Sequence, residues 1–347
     1  MTFPAPLRLR LDSEALVANW KTMARLSGKA STGAAVKADA YGLGAREVVP
    51  RLWAAGCRDF FVAHWSEAEA LADLIPAESI AVLNGICEAD IAPARALGAV
   101  PVLNTPQQIS LWRAAGGAKC HVMIDSGINR LGLGPEQATS ELLDGLEIDI
   151  LMSHLASADE DVAQNGQQLA VFLESGNAIK AQRKSLANSA GIALGEDYCL
   201  DLTRPGLAVY GGVPRLELAS GIKQVVWPES RILQIRQLVS GMPVGYNATY
   251  TTTDTISLAT ISLGYADGYF RGFSNTGSCR SGPEHFPLVG RVSMDLVTVD
   301  ISNSRGQLAE GDWLAVEFQL DHAANASGMS QYELLTGLER RFERIWS

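Results

Sequence analysis

The sequence predicts an α/β protein whose N-terminal part is a (β/α)8 barrel of the TIM type and whose C-terminal part is a mainly β domain. Eight short apolar runs, separated by helix-length segments, fill roughly the first 220 residues, which is the pattern of parallel βα units in a barrel. Beyond residue 222 the helical periodicity fades, and strand-like segments bounded by Gly and Pro take over. Because 347 residues exceed one ordinary domain, we expect a barrel over residues 1–222 and a β domain over residues 223–347.

The N-terminal elements carry recognisable start signals. Residues 7–11 alternate Leu and Arg, as a half-buried strand does, and this strand could join either domain. Asp12 or Ser13 then supplies the N-cap of the first helix. Farther along, residues 66–69 have the sequence of a capping box, and residues 105–106 supply a Thr N-cap followed by a Pro at the first helical position.

Each apolar run of the predicted barrel ends in a polar or charged residue. The runs lie near residues 34–36, 60–63, 80–83, 100–103, 120–124, 149–152, 185–187 and 198–202. The residues that follow them are Lys37, His64, Asn84, Asn104, Asp125, Ser153-His154, Asn188-Ser189 and Thr203-Arg204. In a barrel these positions surround the C-terminal mouth, where active sites are built. An open doubly wound sheet would show the same alternation, but no G-x-G-x-x-G follows the first run.

The second domain is predicted from its strand patterns. Glycines and prolines separate these segments, and one helical pattern follows them near residues 330–338. The strand-like segments are residues 230–239, 256–263, 287–291, 296–301 and 312–318.

Composition excludes several classes of partner. With 28 Lys and Arg against 38 Asp and Glu, the formal charge is −10, which disfavours nucleic acid and anionic membranes. No apolar stretch is long enough to span a bilayer and the N-terminus does not resemble a signal peptide, so we expect a cytoplasmic protein. The five cysteines include no C-x-x-C pair, and the five histidines lack metal-ligand spacing. We therefore expect reduced, mostly buried thiols and no metal site.

Lys37 and two small-residue loops indicate a pyridoxal-phosphate site. A lysine at the end of a buried strand is poorly hydrated, which favours the neutral amine that attacks an aldehyde; alternatively, its ammonium group could simply extend into solvent. Residues 187–191 follow the seventh run, and Arg204-Pro205-Gly206 follows the eighth. Loops after strands seven and eight form the usual phosphate site of this barrel, where small residues let the backbone approach the ligand.

Eight sequence blocks, spread from residue 34 to residue 295, resemble the signature blocks of the alanine racemase family in the family's order. Tyr332 extends the similarity toward the C-terminus, so that it covers nearly the whole chain. The blocks are AVKADAYG, SGINRLG, SHLA, ANSAG, RPG with a following YGG, VGYNATYT, LGYADGY and GRVSMD.

The resemblance implies an enzyme that interconverts L-alanine and D-alanine with two bases and pyridoxal 5'-phosphate. Lys37 would hold the cofactor covalently and act as one base, and Tyr246 would act on the opposite face of the substrate. In this family that tyrosine comes from the partner subunit, which implies a homodimer with shared active sites. Inversion requires a proton to leave one face and arrive at the other, and two bases on opposite faces achieve this.

The resemblance also implies roles for binding residues. Arg204 would face the pyridine nitrogen, with His154 nearby; because an arginine cannot accept a proton, that nitrogen should stay unprotonated. Met294, through its backbone amide, would join Arg130 at the substrate carboxylate, while Tyr265 and Tyr332 would narrow the entrance. The phosphate would be bound by Tyr41, Ser189, the amides of Gly206 and Leu207, and Tyr332.

The match departs from the family at one informative position. Many relatives carry a carbamylated lysine seven positions before the arginine of the SGINRLG block, but this chain has Met123 there. Arg130 must therefore be oriented otherwise, and Asp125 or a bound anion could do so. Rival interpretations are a serine or broad-specificity racemase and a barrel decarboxylase of basic amino acids, which Arg204 disfavours. A non-enzymic pyridoxal-phosphate carrier is disfavoured by the β domain and Tyr246.

Overall fold

The computed structural model describes residues 3–117 and 119–347. The chain divides into two compact units. One unit is Leu16–Lys223, and the other joins the N-terminal segment through Ala15 to Gln224–Ser347.

The unit Leu16–Lys223 contains the predicted parallel barrel. Its described strands include a seven-stranded parallel sheet that runs in chain order from Ala34–Ala35 to Arg183–Ser185. The strand Leu202–Thr203 closes the ring. On one side it pairs in parallel with Ser31–Thr32. On the other side, the N–H of Arg204, directly after this strand, donates to the carbonyl of Ala187. The intervening strands are Phe60–Val62, Ile80–Val82, Val100–Leu103, Lys119–Met123 and Glu147–Met152. The fold class expected from the sequence is confirmed.

Helices follow the barrel strands as parallel βα connections require. Thr105 caps one of them, because its hydroxyl accepts from the N–H of Gln108 at 3.1 Å, and Asp12 accepts from the N–H of Ala15 at 2.8 Å at the start of the first helix. The helices are Ser13–Leu26, Ala45–Ala55, Trp65–Glu69, Ile91–Leu97, Pro106–Ala114, Ser140–Leu143, Ala163–Gly176, Ser189–Ala193 and Glu196–Cys199, with 3-10 turns at Ala77–Ser79, Glu88–Asp90, Leu207–Tyr210 and Leu216–Leu218.

Three local predictions in this unit are wrong. The seventh strand, expected near residues 185–187, is Arg183–Ser185, and it begins on two charged residues that carry no apolar signal. The capping box expected at residues 66–69 is displaced, because the helix begins at Trp65 and the Glu67 carboxylate accepts from the N–H of His64. The eighth strand, expected over residues 198–202, is Leu202–Thr203. Its predicted first half belongs to the helix Glu196–Cys199, whose apolar residues have the same buried character as a strand.

The second unit is built on an eight-stranded, mostly antiparallel sheet. The strand Leu7–Leu11, left open between the domains by its sequence, pairs antiparallel with Val226–Leu238 and parallel with Glu343–Trp346. The other strands are Pro243–Val244, Tyr250–Thr251, Ile256–Ile261, Ser278–Ser281, Glu284–Pro287, Val297–Asp300 and Trp313–Val316; the helices are Leu320–Ser327 and Gln331–Thr336, with 3-10 turns at Tyr246–Ala248, Tyr265–Asp267, Arg271–Phe273 and Ser302–Ser304.

The mainly β character of this unit is confirmed, although some of its elements were missed or misplaced. The strand predicted over residues 287–291 is found at Glu284–Pro287, and its partner Ser278–Ser281 was not expected. Both flank a tight turn in which charged and small residues weaken the apolar signal. The final strand, Glu343–Trp346, was also missed because its pairing with residues 7–11 is remote in sequence.

Within the described residues, no helix is long and apolar enough to cross a membrane. No group of His, Cys, Asp and Glu in that part of the chain could hold a metal ion. All five cysteines are free thiols, and Cys87 is exposed whereas the other four are buried.

Candidate active site

Lys37 begins a turn of left-handed helix at the mouth of the barrel. Ala38, Asp39, Ala40 and Tyr41 all have positive φ angles, between 53° and 56°. This conformation disfavours L-residues by roughly 1–2 kcal/mol each, and a run of four non-glycine residues in it is unusual. The surrounding structure must therefore hold the turn in place.

Polar contacts and an aromatic stack hold this turn. The Glu67 carboxylate accepts from the N–H of Ala38 at 2.6 Å, next to the lysine. The Asp39 carboxylate accepts from the N–H of Ala45 at 2.7 Å, which joins the turn to the following helix. At its end, the ring of Tyr41 stacks on that of Tyr210, with centroids 4.7 Å apart. These contacts fix the backbone from which Lys37 projects.

The environment of Lys37 favours its neutral form. Loss of hydration and the positive charge of Arg130 lower the pKa of the amine, while the negative charge of Glu67 opposes them. Part of the residue's surface is nevertheless exposed at the barrel mouth. A lysine whose pKa is lowered is a better nucleophile near neutral pH, because more of it is unprotonated.

Arg204 directly follows the strand Leu202–Thr203, and its positive charge acts on His154. Arg204 is buried, and its terminal nitrogens donate to the hydroxyl of Ser185 and to the carbonyls of Ser153, at 2.6 Å, and Leu186, at 3.4 Å. Among the described residues, its Nε–H and one of its Nη1–H groups have no hydrogen-bond partner. Burial lowers the pKa of Arg204 to about 10, so the guanidinium still carries its charge at neutral pH.

His154 is neutral in this setting. Loss of hydration, followed by the positive charges of Arg204, Arg130 and Lys37, lowers the pKa of its imidazole to about 3. The same three cations therefore act on one ring, which places the predicted residues of the barrel mouth close to one another. A neutral imidazole can both donate and accept a hydrogen bond there.

Ser189, Gly206 and Tyr41 form a small polar corner after the last two strands. The Ser189 hydroxyl oxygen accepts from the N–H groups of Gly206, at 3.0 Å, and Ala208, at 3.2 Å. Its own O–H is therefore directed away from these donors and can be donated to an anion. A Cβ added at Gly206 would come within 2.3 Å of the Tyr41 hydroxyl oxygen, so only glycine allows this approach. Leu207 begins the adjoining 3-10 turn.

Asp125 organises the loop that carries Arg130. Its Oδ1 accepts from the N–H groups of Gly127, Ile128 and Asn129 at 2.9–3.0 Å, and its Oδ2 accepts from the N–H of Arg130 at 2.9 Å. The Arg130 side chain is exposed and forms no hydrogen bond or ion pair within the described residues. Asp125 thus holds the backbone of Arg130 and does not contact its guanidinium. Met123, in the place of the family's lysine, is buried.

The β unit carries Tyr246 at the tip of a hairpin. The strands Pro243–Val244 and Tyr250–Thr251 pair antiparallel, and Tyr246 lies in the turn between them with 70% of its surface exposed. At the base of the hairpin the Thr252 hydroxyl donates to the carbonyl of Val239 at 2.7 Å. This hydrogen bond therefore fixes the stem of the hairpin, and the tip that carries Tyr246 is exposed to solvent.

Tyr265 and Met294 lie on two turns of the β unit that are joined by backbone hydrogen bonds. The N–H of Tyr265 donates to the carbonyl of Ser293, and the N–H of Ala266 to that of Met294, both at 3.0 Å. Met294 is 53% exposed. Tyr332, on the helix Gln331–Thr336, is also exposed.

The barrel residues fit a ligand with an aldehyde, a phosphate and a pyridine nitrogen. Lys37 supplies an amine of lowered pKa, the Ser189 hydroxyl has an O–H that it can donate to an anion, and the buried cation Arg204 retains two N–H donors without a hydrogen-bond partner among the described residues. Among the described residues, none of Lys37, Arg130 and Arg204 forms an ion pair. A phosphate and a carboxylate would compensate this positive charge.

Three structurally important residues were missed by sequence reasoning. Glu67 was assigned to a misplaced capping box, whereas it holds the turn that carries Lys37. Asp267 and Arg341, which brace the turns of Tyr265 and Met294, were not singled out at all. Their partners are far apart in sequence, and only the Asp that follows Gly-Tyr-Ala in LGYADGY offered a signal.

Comparison with known proteins identifies relatives over the whole length. The family model for the alanine racemase N-terminal domain matches residues 11–214, and that for the alanine racemase C-terminal domain matches residues 225–346. A catabolic alanine racemase of Agrobacterium fabrum is 42% identical, over 97% of this chain and 91% of its own length. An alanine racemase of Rhodospirillum rubrum is 39% identical, over 97% of this chain and 94% of its own length.

A solved structure matches equally well. Alanine racemase from Bartonella henselae, with covalently bound pyridoxal phosphate, superposes with a TM-score of 0.91 at 35% sequence identity. The match covers 99% of this chain and 100% of the other.

Proposed function

Because the chain belongs to the alanine racemase family, we propose that its Lys37 and Tyr246 exchange the α-proton of alanine on opposite faces of the substrate. Membership makes the chain a pyridoxal-phosphate-dependent isomerase that interconverts L-alanine and D-alanine. The assignment of individual residues is our proposal. The observation that carries it is the lowered pKa of Lys37 within a cluster of unpaired positive groups.

The cofactor site is proposed to lie at the barrel mouth. Pyridoxal phosphate, when bound, withdraws electrons from the α-carbon of the substrate and so makes its proton easier to remove. Lys37 would carry the cofactor. The phosphate would be held by Tyr41, Ser189, the amides of Gly206 and Leu207, and, by family resemblance, Tyr332 of the β unit.

Arg204 would set the electronic character of the site. Its guanidinium stays protonated, since its pKa remains near 10, and it can donate to the pyridine nitrogen without giving up its charge. With Arg204 at that nitrogen, the bound cofactor would stay unprotonated there and would be a weaker electron sink. Prompt return of the α-proton would then be favoured over decarboxylation or transamination. His154, being neutral, would contact the ring without adding a further charge.

Substrate recognition is proposed to use Arg130, Met294 and Tyr265. The exposed guanidinium of Arg130 can bind a carboxylate with two parallel donors. The backbone amide of Met294 would join it. Tyr265, together with Tyr332, would narrow the entrance so that a methyl side chain fits better than a larger one.

We propose that Tyr246 acts in the active site of a second copy of the chain, so that a homodimer is the active form. The tyrosine lies at the tip of a hairpin with 70% of its surface exposed, and Met294 is 53% exposed. Exposed apolar and aromatic groups with implied catalytic roles suit a surface that a second subunit covers. We further propose that the enzyme works in the cytoplasm, as expected for a chain with free thiols.

The function is tested with cofactor-loaded protein and L-alanine in heavy water, followed by chiral analysis. The expected product is D-alanine with deuterium at the α-carbon. Exchange without inversion would mean that Lys37 acts but that the second base has been assigned wrongly. Turnover of serine or a larger amino acid in place of alanine would move the assignment to another racemase.

Tyr246→Phe tests the second base directly. We expect racemisation to fall by about 10²- to 10⁴-fold, the contribution usual for a general acid–base group, with cofactor binding unchanged. Tyr250→Phe, on the same hairpin, is the matched control and should retain activity. Sedimentation of both variants checks that the dimer is intact, and equal activity of the two would refute the role of Tyr246.

A further inference from the structure

We propose that Arg341 is a specificity-determining positioning residue, which fixes the spacing of the Tyr265 turn and the Met294 turn by bridging Asp267 and Asp295. This inference rests on the proposed function, because it takes Tyr265 and Met294 to line the substrate pocket. Arg341 lies 46 positions beyond Asp295 and 74 positions beyond Asp267 in the chain.

The guanidinium of Arg341 joins one carboxylate from each turn. Its Nε donates to Oδ1 of Asp267 at 2.6 Å, and its Nη1 donates to Oδ1 of Asp295 at 2.8 Å. Asp267 ends the 3-10 turn that begins at Tyr265, and Asp295 directly follows Met294. Because a guanidinium is planar and rigid, two bonds from one fork fix the separation of the two carboxylates.

The inner half of this bridge is buried. The Asp267 side chain has no exposed surface, and its second oxygen accepts from the N–H of Gly264 at 2.9 Å. The bridge therefore reaches the start of the Tyr265 turn as well as its end. The outer carboxylate, Asp295, is 53% exposed, so the two halves can be removed separately by mutation.

The two turns pack so closely that a small displacement would be transmitted between them. A Cβ at Gly264 would lie 2.2 Å from the carbonyl oxygen of Met294, and one at Gly268 would lie 2.0 Å from that of Gly337. The second contact joins the Tyr265 turn to the segment that leads into Arg341. Backbone contact therefore sets how near the turns can come, and Arg341 limits how far apart they can move.

This geometry assigns Arg341 a role in substrate discrimination. If the turns separate, the ring of Tyr265 and the amide of Met294 no longer define a pocket of methyl size. Alanine then loses contacts with the wall of the pocket. Serine, whose side chain has one additional oxygen, fills more of the widened pocket and loses fewer contacts. The chemical step depends on Lys37 and Tyr246 and should change less than the binding of the substrate.

The main experiment compares Arg341→Met with Arg340→Met, since Arg340 is exposed, adjacent and without an ion pair in the described residues. For Arg341→Met we expect the KM for alanine to rise and the alanine-to-serine ratio of kcat/KM to fall, each by about tenfold, the lower end of the range that small pocket contacts supply. The change in kcat should be smaller. Arg340→Met should match the wild type in both quantities.

Asp295→Asn keeps the proposal testable if Arg341→Met fails to fold, because it leaves the buried Asp267–Arg341 pair intact. We expect the KM for alanine and the alanine-to-serine ratio to change in the same directions as in Arg341→Met, with about half the logarithmic change. Arg341→Lys retains the charge but not the fork, and it should recover stability without recovering the alanine-to-serine ratio.

Hydrogen exchange supplies a readout that does not depend on catalysis. In cofactor-loaded Arg341→Met, the amides of Tyr265 and Ala266 should exchange faster by about tenfold, as expected when a brace of this kind is lost, while those of the barrel strands stay unchanged. An unchanged substrate ratio and unchanged exchange in properly folded variants would overturn the role of Arg341. An inactive wild type would instead refute the proposed function, and the exchange result would still report on the bridge.

Discussion

The two ends of the barrel differ in whether their charged side chains form ion pairs. At the C-terminal mouth, Lys37, Arg130 and Arg204 form no ion pair within the described residues. At the opposite end, Arg183 donates to Asp59 at 2.8 and 3.0 Å and to Asp149 at 2.9 and 3.1 Å, and Lys119 also pairs with Asp149 at 2.8 Å. The unpaired charges at the mouth are suited to function, and the paired charges at the opposite end are suited to stability. A mouth with unpaired cations suits an anionic cofactor and substrate, whereas paired charges at the other end join neighbouring strands.

The largest effect should follow from Lys37→Ala. We expect racemisation to fall by at least about 10⁴-fold, because the variant would lose both the nucleophilic amine and the base that we propose Lys37 to be. Stability should be unchanged or slightly raised, since a positive group leaves a positive cluster. Chiral analysis and thermal unfolding measure the two quantities.

Lys119→Ala is the matched control for this comparison. It removes a lysine that is paired with Asp149, so it should lower stability slightly and leave kcat unchanged. A loss of activity in Lys119→Ala as large as that in Lys37→Ala would contradict the assignment of function to the mouth and stability to the opposite end.

Arg183→Met should destabilise the opposite end by about 2–3 kcal/mol in the free energy of unfolding, because it leaves two mostly buried carboxylates without their main partner. Denaturant unfolding measures this loss, and kcat should stay within twofold or so of the wild type. Arg58→Met, which alters an exposed arginine beside Asp59, is a control that should cost much less.

The pH dependence of stability sharpens this second prediction. Burial would raise the pKa of Asp149, but hydrogen bonds from Arg183 and Lys119 outweigh it and lower the pKa to about 2. An unfolded Asp has a pKa near 3.9, so the stabilisation is present above about pH 4 and is lost as the pH falls toward 2. Arg183→Met should flatten this acid-induced loss. An acid profile parallel to that of the wild type would contradict the role of the pair.

Much of the barrel was predictable because its strands are short apolar runs with polar ends. The positions of Lys37, His154 and Arg204 at the mouth followed from that pattern alone. The left-handed turn after Lys37 could not be predicted, since Ala38 and Ala40 have no preference for positive φ. It depends on Glu67, whose contact with Ala38 spans 29 positions of the chain.

The β unit was predictable as a class and less so in its details. Its strands pair across long separations, so residues 7–11 have their partners at residues 226–230 and 343–346. The bridge of Arg341 to Asp267 likewise spans 74 positions. No local sequence pattern indicates that Arg341 is the partner of a buried carboxylate this far away in the chain. Family resemblance supplied the roles of Tyr246, Tyr265, Met294 and Tyr332, which remain proposals.

Asp125→Ala should have an intermediate effect, which tests how Arg130 is positioned without a carbamylated lysine. Removal of an acceptor for four backbone N–H groups should loosen the loop and lower kcat/KM for alanine by about 10- to 100-fold, mainly through KM. Asp125→Asn keeps one acceptor oxygen and should recover part of the loss. Equal kcat/KM in Asp125→Ala and the exposed control Asp144→Ala would exclude Asp125 as the positioning residue.

The smallest effect should come from Glu67→Gln, which tests the negative charge of Glu67 that acts on Lys37. Glu67 raises the pKa of the Lys37 amine against the larger lowering by lost hydration and by Arg130, so removing its charge should lower that pKa further. The neutral amine is the form that would attack the cofactor's aldehyde if Lys37 carries the cofactor as proposed. The midpoint of the pH dependence of cofactor capture by the apo-protein should therefore move to lower pH, whereas Glu69→Gln, an exposed neighbour, should leave it in place. An upward shift, or equal midpoints in both variants, would show that Glu67 acts on Lys37 only through the backbone of Ala38.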